Sequence, residues 1–272
     1  MIKKHIPNAI TCLNLLAGCL GIVHAFEGRL VAAANMIVVA ALFDFIDGFA
    51  ARLLKANSPI GKELDSLADV VSFGVLPGMI IYEMISYNVM IVPGWHTEIA
   101  GNDSNLKFIG FVIPVFSALR LAKFNIDVRQ TERFIGLPTP ANALIIASFP
   151  LILFSQFYPE TYEWLYTLGY YTPEDIDYEM LPDNIWFRIF TNEYAVAGIA
   201  VVMSLLLVSG LPLFALKFKS FSWHKNKVRY VFMFLVVGLL IVLKFIAVPI
   251  IVALYIIMSV LEDYLFKTEP IE

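Results

Sequence analysis

The sequence predicts an all-α, polytopic membrane protein, a helical bundle with little mass outside the bilayer. Three observations carry this. The 272 residues are 59% hydrophobic with a mean hydropathy of +0.76, too apolar for a soluble domain. Apolar runs of about 20 residues, the length that crosses a hydrocarbon core of roughly 30 Å, recur along the whole chain. The cations are lopsided: with the N-terminus inside, 15 of the 19 Lys and Arg residues fall in inner segments. That bias predicts an even number of spans and an N-terminus on the cytoplasmic side of the cell's inner membrane. No nucleic-acid partner is expected of a chain this apolar.

Eight spans are predicted in one integral membrane domain covering 1–272, near 7–26, 30–52, 65–92, 106–124, 138–157, 194–216, 228–243 and 246–265. Lys3 and Lys4 precede the first apolar run as in a signal peptide. Asn8, Thr11 and Asn14 interrupt that run and no cleavage site follows, so a retained helix is expected. Asn8 and Thr11 share a face, either to bond a polar ligand or to cap and bond the helix backbone. Cys12 and Cys19 are packing residues rather than metal ligands.

Helices 2 and 3 carry the chemistry. Asp44-Phe45-Ile46-Asp47-Gly48-Phe49-Ala50-Ala51-Arg52 closes one helix, and Gly61-Lys62-Glu63-Leu64-Asp65-Ser66-Leu67-Ala68-Asp69 opens the next. At about 100° per residue, positions 44, 47, 48, 51 and 52 span an arc of roughly 140°. Asp65 and Asp69 share a face of the following helix. Two helices thus present four carboxylates to one cavity. Unpaired in a membrane, four carboxylates cost on the order of 10 kcal/mol. Two divalent cations would neutralise them, and an all-oxygen ligand set suits Mg²⁺ or Mn²⁺. Gly48 either lets a ligand approach the backbone or packs one helix on another.

Farther on, Gly74, Pro77 and Gly78 permit a kink and close packing in the third span. Arg120 and Lys123 end the fourth, as an anion pocket or as snorkelling anchors. Phe134-Ile135-Gly136-Leu137-Pro138-Thr139-Pro140-Ala141-Asn142 leads into the fifth. The acidic outer loop 158–193 is expected to hold short interfacial helices built on Trp164, Tyr166, Tyr170, Tyr171, Trp186 and Phe187. Little more than Lys244 separates the last two spans, which makes them a tight hairpin or a re-entrant pair. The basic run Lys217–Arg229 sets topology and suits anionic headgroups.

The spacing D-x2-D-G-x2-A-R-x8-G-x3-D-x3-D is met without a gap by Asp44, Asp47, Gly48, Ala51, Arg52, Gly61, Asp65 and Asp69. It resembles the signature of the CDP-alcohol phosphatidyltransferase family. Stretches at Leu64–Gly74, Ala118–Asn125 and Phe134–Ala141 resemble the family's phosphatidylserine synthase branch. The likeness covers roughly the first 150 residues. It implies a six-helix core plus about two further C-terminal helices, a homodimer, and a catalytic core in 1–157 followed by helices 6–8 in 194–272. It implies two divalent cations on Asp44, Asp47, Asp65 and Asp69, with Asp69 as general base. It puts Asn8, Gly48, Arg52, Ser58 and Gly61 along the CDP group. Arg120 and Lys123 become the candidate acceptor contacts, although Lys123 lacks the planar fork of the arginine expected in many relatives. The implied reaction joins CDP-diacylglycerol and L-serine into phosphatidylserine and CMP.

Three rivals stand beside it. The same chemistry can use glycerol 3-phosphate or inositol phosphate, which would want more cations than this pocket offers. An intramembrane prenyltransferase would carry a second aspartate-rich motif, and none is present. An ion transporter would hold its acidic site at mid-membrane, whereas this one lies at helix ends.

Overall fold

The computed structural model describes residues 5–56, 58–86, 104–126, 133–157, 185–214 and 223–265. The first helix, α1 (Ile6–Phe26), starts on Pro7, whose missing N–H costs nothing in a first turn. Gly28 turns the chain at φ 73°, a backbone state that glycine adopts freely. Helix α2 (Leu30–Leu53) returns along α1, and this hairpin is the most extensive helix pairing. Both helices bury small residues, among them Ala17, Ala25, Ala33, Ala34 and Ala40. Small side chains let membrane helices approach closely where no hydrophobic force drives them together. At 24 residues and about 1.5 Å each, α2 spans a bilayer core.

Helix α3 (Pro59–Val70) begins earlier than the third span predicted from residue 65. The reason is local: Ser58 caps it by accepting from Gly61 N at 3.1 Å, and Pro59 occupies its first turn. A π-helical turn, Val71–Val75, joins α3 to α4 (Leu76–Ser86). The predicted residues 87–92 of this span lie outside the described residues. A 3₁₀ segment, Asn105–Phe111, runs into α5 (Val112–Ile126). It crosses α4 so closely that a Cβ on Gly78 would stand 2.8 Å from the Gly110 carbonyl oxygen. Helix α6 (Thr139–Phe157) follows.

Of the acidic loop, 158–184 lies outside the described residues, and so do Trp164, Tyr166, Tyr170 and Tyr171. Trp186 and Phe187 do sit on a short helix, α7 (Ile185–Thr191), seated on α6 through Phe190 stacked on Phe149 at 4.5 Å. It meets α8 (Glu193–Val208) at 83°. The predicted sixth span ran to residue 216, but α8 stops at Val208. Ser209 turns extended there, and Pro212–Phe214 forms a strand, β2, antiparallel to β1 (Arg133–Ile135). The strand pair ties the segment after α5 to the segment after α8 at one end of the bundle.

The last helices, α9 (Trp223–Leu243) and α10 (Ala247–Leu265), form the tight hairpin. The chain reverses at Lys244, φ 48°. Arg229 and Glu262, at opposite ends of one continuous apolar stretch, meet at 3.8 Å, and Phe232 lies 5.6 Å from Tyr255. Tyr255 donates to the Phe214 carbonyl at 2.7 Å, which fastens the hairpin to β2.

Five stretches among the described residues are long and apolar enough to cross a membrane, six if α7–α8 is one span. One of the five is the α9–α10 stretch that folds back on itself. Phe45, Phe49, Leu53, Phe234, Ile241 and Val242 point outward, as do Cys12 and Cys19. Large apolar side chains on the outside are the expected face of a bundle solvated by lipid. The chain is a multi-pass membrane protein, nearly all helical.

Candidate active site

The site is built where the C-terminal half of α2 meets α3. Asp44 and Asp47 come from α2 and Asp65 from α3, and one ligand atom of each lies within 4.8 Å of the others. Asp47 is 6% exposed and accepts from the Thr11 hydroxyl at 2.6 Å. A buried oxygen of Asp65 has no hydrogen-bond partner. Three converging carboxylates with so few donors are a repulsive arrangement unless a cation joins them. Their hard oxygen set fits Mg²⁺ or Mn²⁺.

Asp69 sits beside this trio rather than within it. It is buried and within electrostatic reach of Asp44, Asp47 and Asp65. Asn14 of α1 donates to it at 3.4 Å, and the Ser72 hydroxyl stands 2.6 Å from the Asn14 carbonyl oxygen. Asn14 is fully buried, so its amide orientation is set by these two neighbours. In the sequence Asn14 stands out only as a polar interruption of an apolar run, and its spacing of three from Thr11 is the one signal that pairs it with a site residue.

A cleft of about 550 Å³ opens next to the carboxylates. Asn8, Thr11, Asp47, Gly48, Ser58, Gly61, Lys62 and Asp65 are among its lining. Four of the five predicted CDP contacts, Asn8, Gly48, Ser58 and Gly61, therefore share one cavity. Gly48 faces open space: a Cβ placed there would have no neighbour within 4 Å. That removes helix packing as the reason for glycine there. Gly61 is the opposite case: a Cβ would stand 3.0 Å from Asn8 Oδ1 and from Ser58 Oγ, so glycine lets α1 and the α3 cap close on each other. Asn8 does not cap α1, whose cap position is His5.

The fifth predicted contact, Arg52, is exposed on the last turn of α2 and does not line the cleft. The predicted acceptor pair also separates. Arg120 is 7% exposed and donates through Nε to the Leu137 carbonyl at 3.0 Å, while Lys123 is exposed. Lys62 donates to the Asn125 carbonyl at 3.1 Å and Asn125 to Ser66 at 2.9 Å. These bonds hold the end of α5 against α3, on the carboxylate side of the bundle.

Fold and site together define a polytopic helical membrane protein with an acidic centre, suited to a metal ion, at the mouth of a polar cleft. The profile of the CDP-alcohol phosphatidyltransferases matches residues 4–172, and the chain belongs to that family. Among curated relatives, the CDP-diacylglycerol–serine O-phosphatidyltransferase of Methanocaldococcus jannaschii is 34% identical over 212 residues, 78% of this chain and 87% of the relative. The protein of that name from Bacillus subtilis is 36% identical over 159 residues, 55% of this chain and 80% of the relative. That from Helicobacter pylori J99 is 35% identical over 142 residues, but the match spans only 54% of its length.

Proposed function

We propose that the chain transfers the phosphatidyl group of CDP-diacylglycerol to the hydroxyl of L-serine, giving phosphatidylserine and CMP. The observation that supports this best is the meeting of Asp44, Asp47 and Asp65 within 4.8 Å at a cleft lined by Asn8, Gly48, Ser58 and Gly61. The relatives' shared name supplies the acceptor. Two divalent cations, Mg²⁺ or Mn²⁺, would be held by the three carboxylates with Asp69 alongside, and would supply Lewis-acid polarisation of the diphosphate.

The chain's own residues do the rest. Asn8, Ser58 and Lys62 offer polar contacts to the nucleotide, and Gly48 leaves room for it against the helix backbone. The serine oxygen attacks the phosphorus that bears diacylglycerol, and the bond to the bridging oxygen breaks, so CMP leaves with that oxygen. Asp69 receives the hydroxyl proton, held in place by Asn14. Such a transfer relies on positioning and electrostatics, so a covalent enzyme intermediate is unnecessary. With the cleft at the cytoplasmic end of a homodimer, CMP and serine exchange with water while both lipids stay in the bilayer. Light scattering in detergent tests the dimer.

The test is CMP release by purified protein from CDP-diacylglycerol with Mg²⁺ or Mn²⁺ and one acceptor at a time: L-serine, glycerol 3-phosphate, inositol phosphate, or none. Release with serine alone supports the reading. Release with another alcohol moves the protein to a sister reaction, and none from folded, metal-loaded protein refutes it.

A further inference from the structure

Lys62 is the one cation among the described residues that line the cleft. The signature spacing leaves it unassigned, as one of the three residues between Gly61 and Asp65. Arg52, the other cation expected near the nucleotide, is exposed and stands outside the lining. Asp47 and Asp65 also line the cleft, so a diphosphate that enters meets two carboxylates and a single ammonium group. Where that ammonium sits therefore matters to the charge balance.

Its place is set by a closed ring of hydrogen bonds. Lys62 Nζ donates to the Asn125 carbonyl at 3.1 Å, and Asn125 Nδ2 donates to Ser66 Oγ at 2.9 Å. Ser66 Oγ donates in turn to the Lys62 carbonyl at 3.2 Å. The ring starts and ends on Lys62 and joins α3 to the end of α5. A lysine three residues from an aspartate on a helix is placed to pair with it. Among the described residues no ion pair joins Lys62 to Asp65, and a buried oxygen of Asp65 has no partner. The ring thus draws the cation toward α5 and leaves Asp65 to the metal. An ammonium has three N–H donors and the Asn125 carbonyl takes one. Lys62 is exposed, so two donors remain open to a ligand.

We propose that Lys62 binds the phosphate that leaves in CMP, and that Asn125 and Ser66 position its ammonium for this. The proposal rests on the phosphatidyl-transfer reading above, whichever alcohol accepts. The order along α3 carries the choice of phosphate. Lys62 stands beside Ser58 and Gly61, at the nucleotide end, while Asp69 lies seven residues on, about 10 Å along the axis. The acceptor hydroxyl gives its proton at the Asp69 end, and the leaving group departs at the Lys62 end. When the bond from the diacylglycerol phosphorus to the bridging oxygen breaks, that oxygen keeps the electron pair and adds negative charge to CMP. A cation held beside it counters that charge as it builds. A phosphate of varying pose asks for a point charge rather than a planar fork, which suits lysine.

Lys62→Met keeps the apolar stem and removes the charge. With purified protein, saturating Mg²⁺ and L-serine, the KM for CDP-diacylglycerol and the inhibition constant of CMP should both rise at least tenfold. The KM for L-serine should stay within twofold. Lys62→Arg restores the charge and should bring both nucleotide constants back within threefold of wild type, which a merely structural side chain would not do. Asn125→Ala keeps the charge but removes the bond to Ser66, and should raise the CMP constant at least threefold at an unchanged serine KM. A CMP constant within twofold of wild type in Lys62→Met overturns the proposal while the serine reaction stands. A serine KM that rises as far as that for CDP-diacylglycerol also overturns it, because Lys62 would then support the site as a whole. An unchanged CMP constant in Asn125→Ala overturns the positioning role of Asn125 and Ser66. Wild-type protein that releases no CMP with any acceptor overturns the phosphatidyl-transfer reading, and this proposal with it.

Discussion

Gly48→Ala should make the protein more stable and less active at once. Gly48 is inside α2, and a Cβ there meets no atom within 4 Å. The substitution therefore carries no packing penalty and gains the helix-propensity difference, about 0.8–1.0 kcal/mol. The space the methyl enters belongs to the cleft beside Asp47 and Asp65. A ligand lying against the backbone must retreat by roughly 1 Å, a misplacement that costs on the order of 100-fold in a reaction governed by positioning. Thermal unfolding in detergent gives the first quantity, and kcat/KM for CDP-diacylglycerol at saturating metal gives the second. A lower melting temperature would mean that Gly48 packs against protein. A kcat/KM within twofold of wild type would mean that the substrate does not occupy this part of the cleft. Either result refutes the reasoning.

Asp65→Asn should raise the melting temperature in EDTA, because one of three converging charges is gone. It should also lose most of the Mn²⁺-induced stabilisation, which for wild type at 100 times Kd is about 2.7 kcal/mol; an undiminished Mn²⁺ shift counts against the metal centre. Asn14→Ala should lower kcat by roughly 10–100-fold, as loss of a residue orienting a metal-site ligand does, with little change in KM for CDP-diacylglycerol. An effect on KM alone would remove Asn14 from the support of Asp69. Gly78→Ala should cost about 1–3 kcal/mol by overpacking, since the new Cβ stands 2.8 Å from the Gly110 carbonyl oxygen; unaltered thermal unfolding would contradict that crossing. Tyr255→Phe strands the buried Phe214 carbonyl and should cost about 1–3 kcal/mol while kcat at a permissive temperature stays unchanged. A kcat that falls with intact stability would give the C-terminal hairpin a part in catalysis.

The carboxylates were legible because fixed offsets on helices translate directly into shared faces. Asp44, Asp47 and Asp65 converge, and Asn8, Gly48, Ser58 and Gly61, which the family resemblance had marked, line one cleft. Arg52 and Lys123 are exposed and stand outside the cleft lining. Both stand at helix ends, where a long cationic side chain is as well placed in water as in a site. Asn14 was legible only as a polar interruption of an apolar run, for the converse reason. A single polar residue in an apolar run carries no periodicity, and only tertiary packing shows that it is buried and what it faces. The strand pair Arg133–Ile135 with Pro212–Phe214 was invisible because three residues are too few to alternate. The end of α8 was in plain view at Gly210 and Pro212, but the apolar run continued through it.

The π turn at Val71–Val75 makes segment length itself a specified quantity. A π turn carries one residue more than the α-helix it interrupts. Delete any one of those five residues and the segment can relax into continuous α-helix. Everything downstream would then swing by about 100° and retract by about 1.5 Å relative to Asp65 and Asp69. Gly78 would leave the Gly110 carbonyl, and Gly74 would leave Ser117. The extra residue acts as a phase shifter, letting α3 turn its acids toward the cleft while α4 turns its glycine toward the 3₁₀ segment. Substitutions in this stretch can be absorbed one by one, whereas a change in its length cannot, so the count of residues between Asp69 and Gly78 is fixed more firmly than their identity.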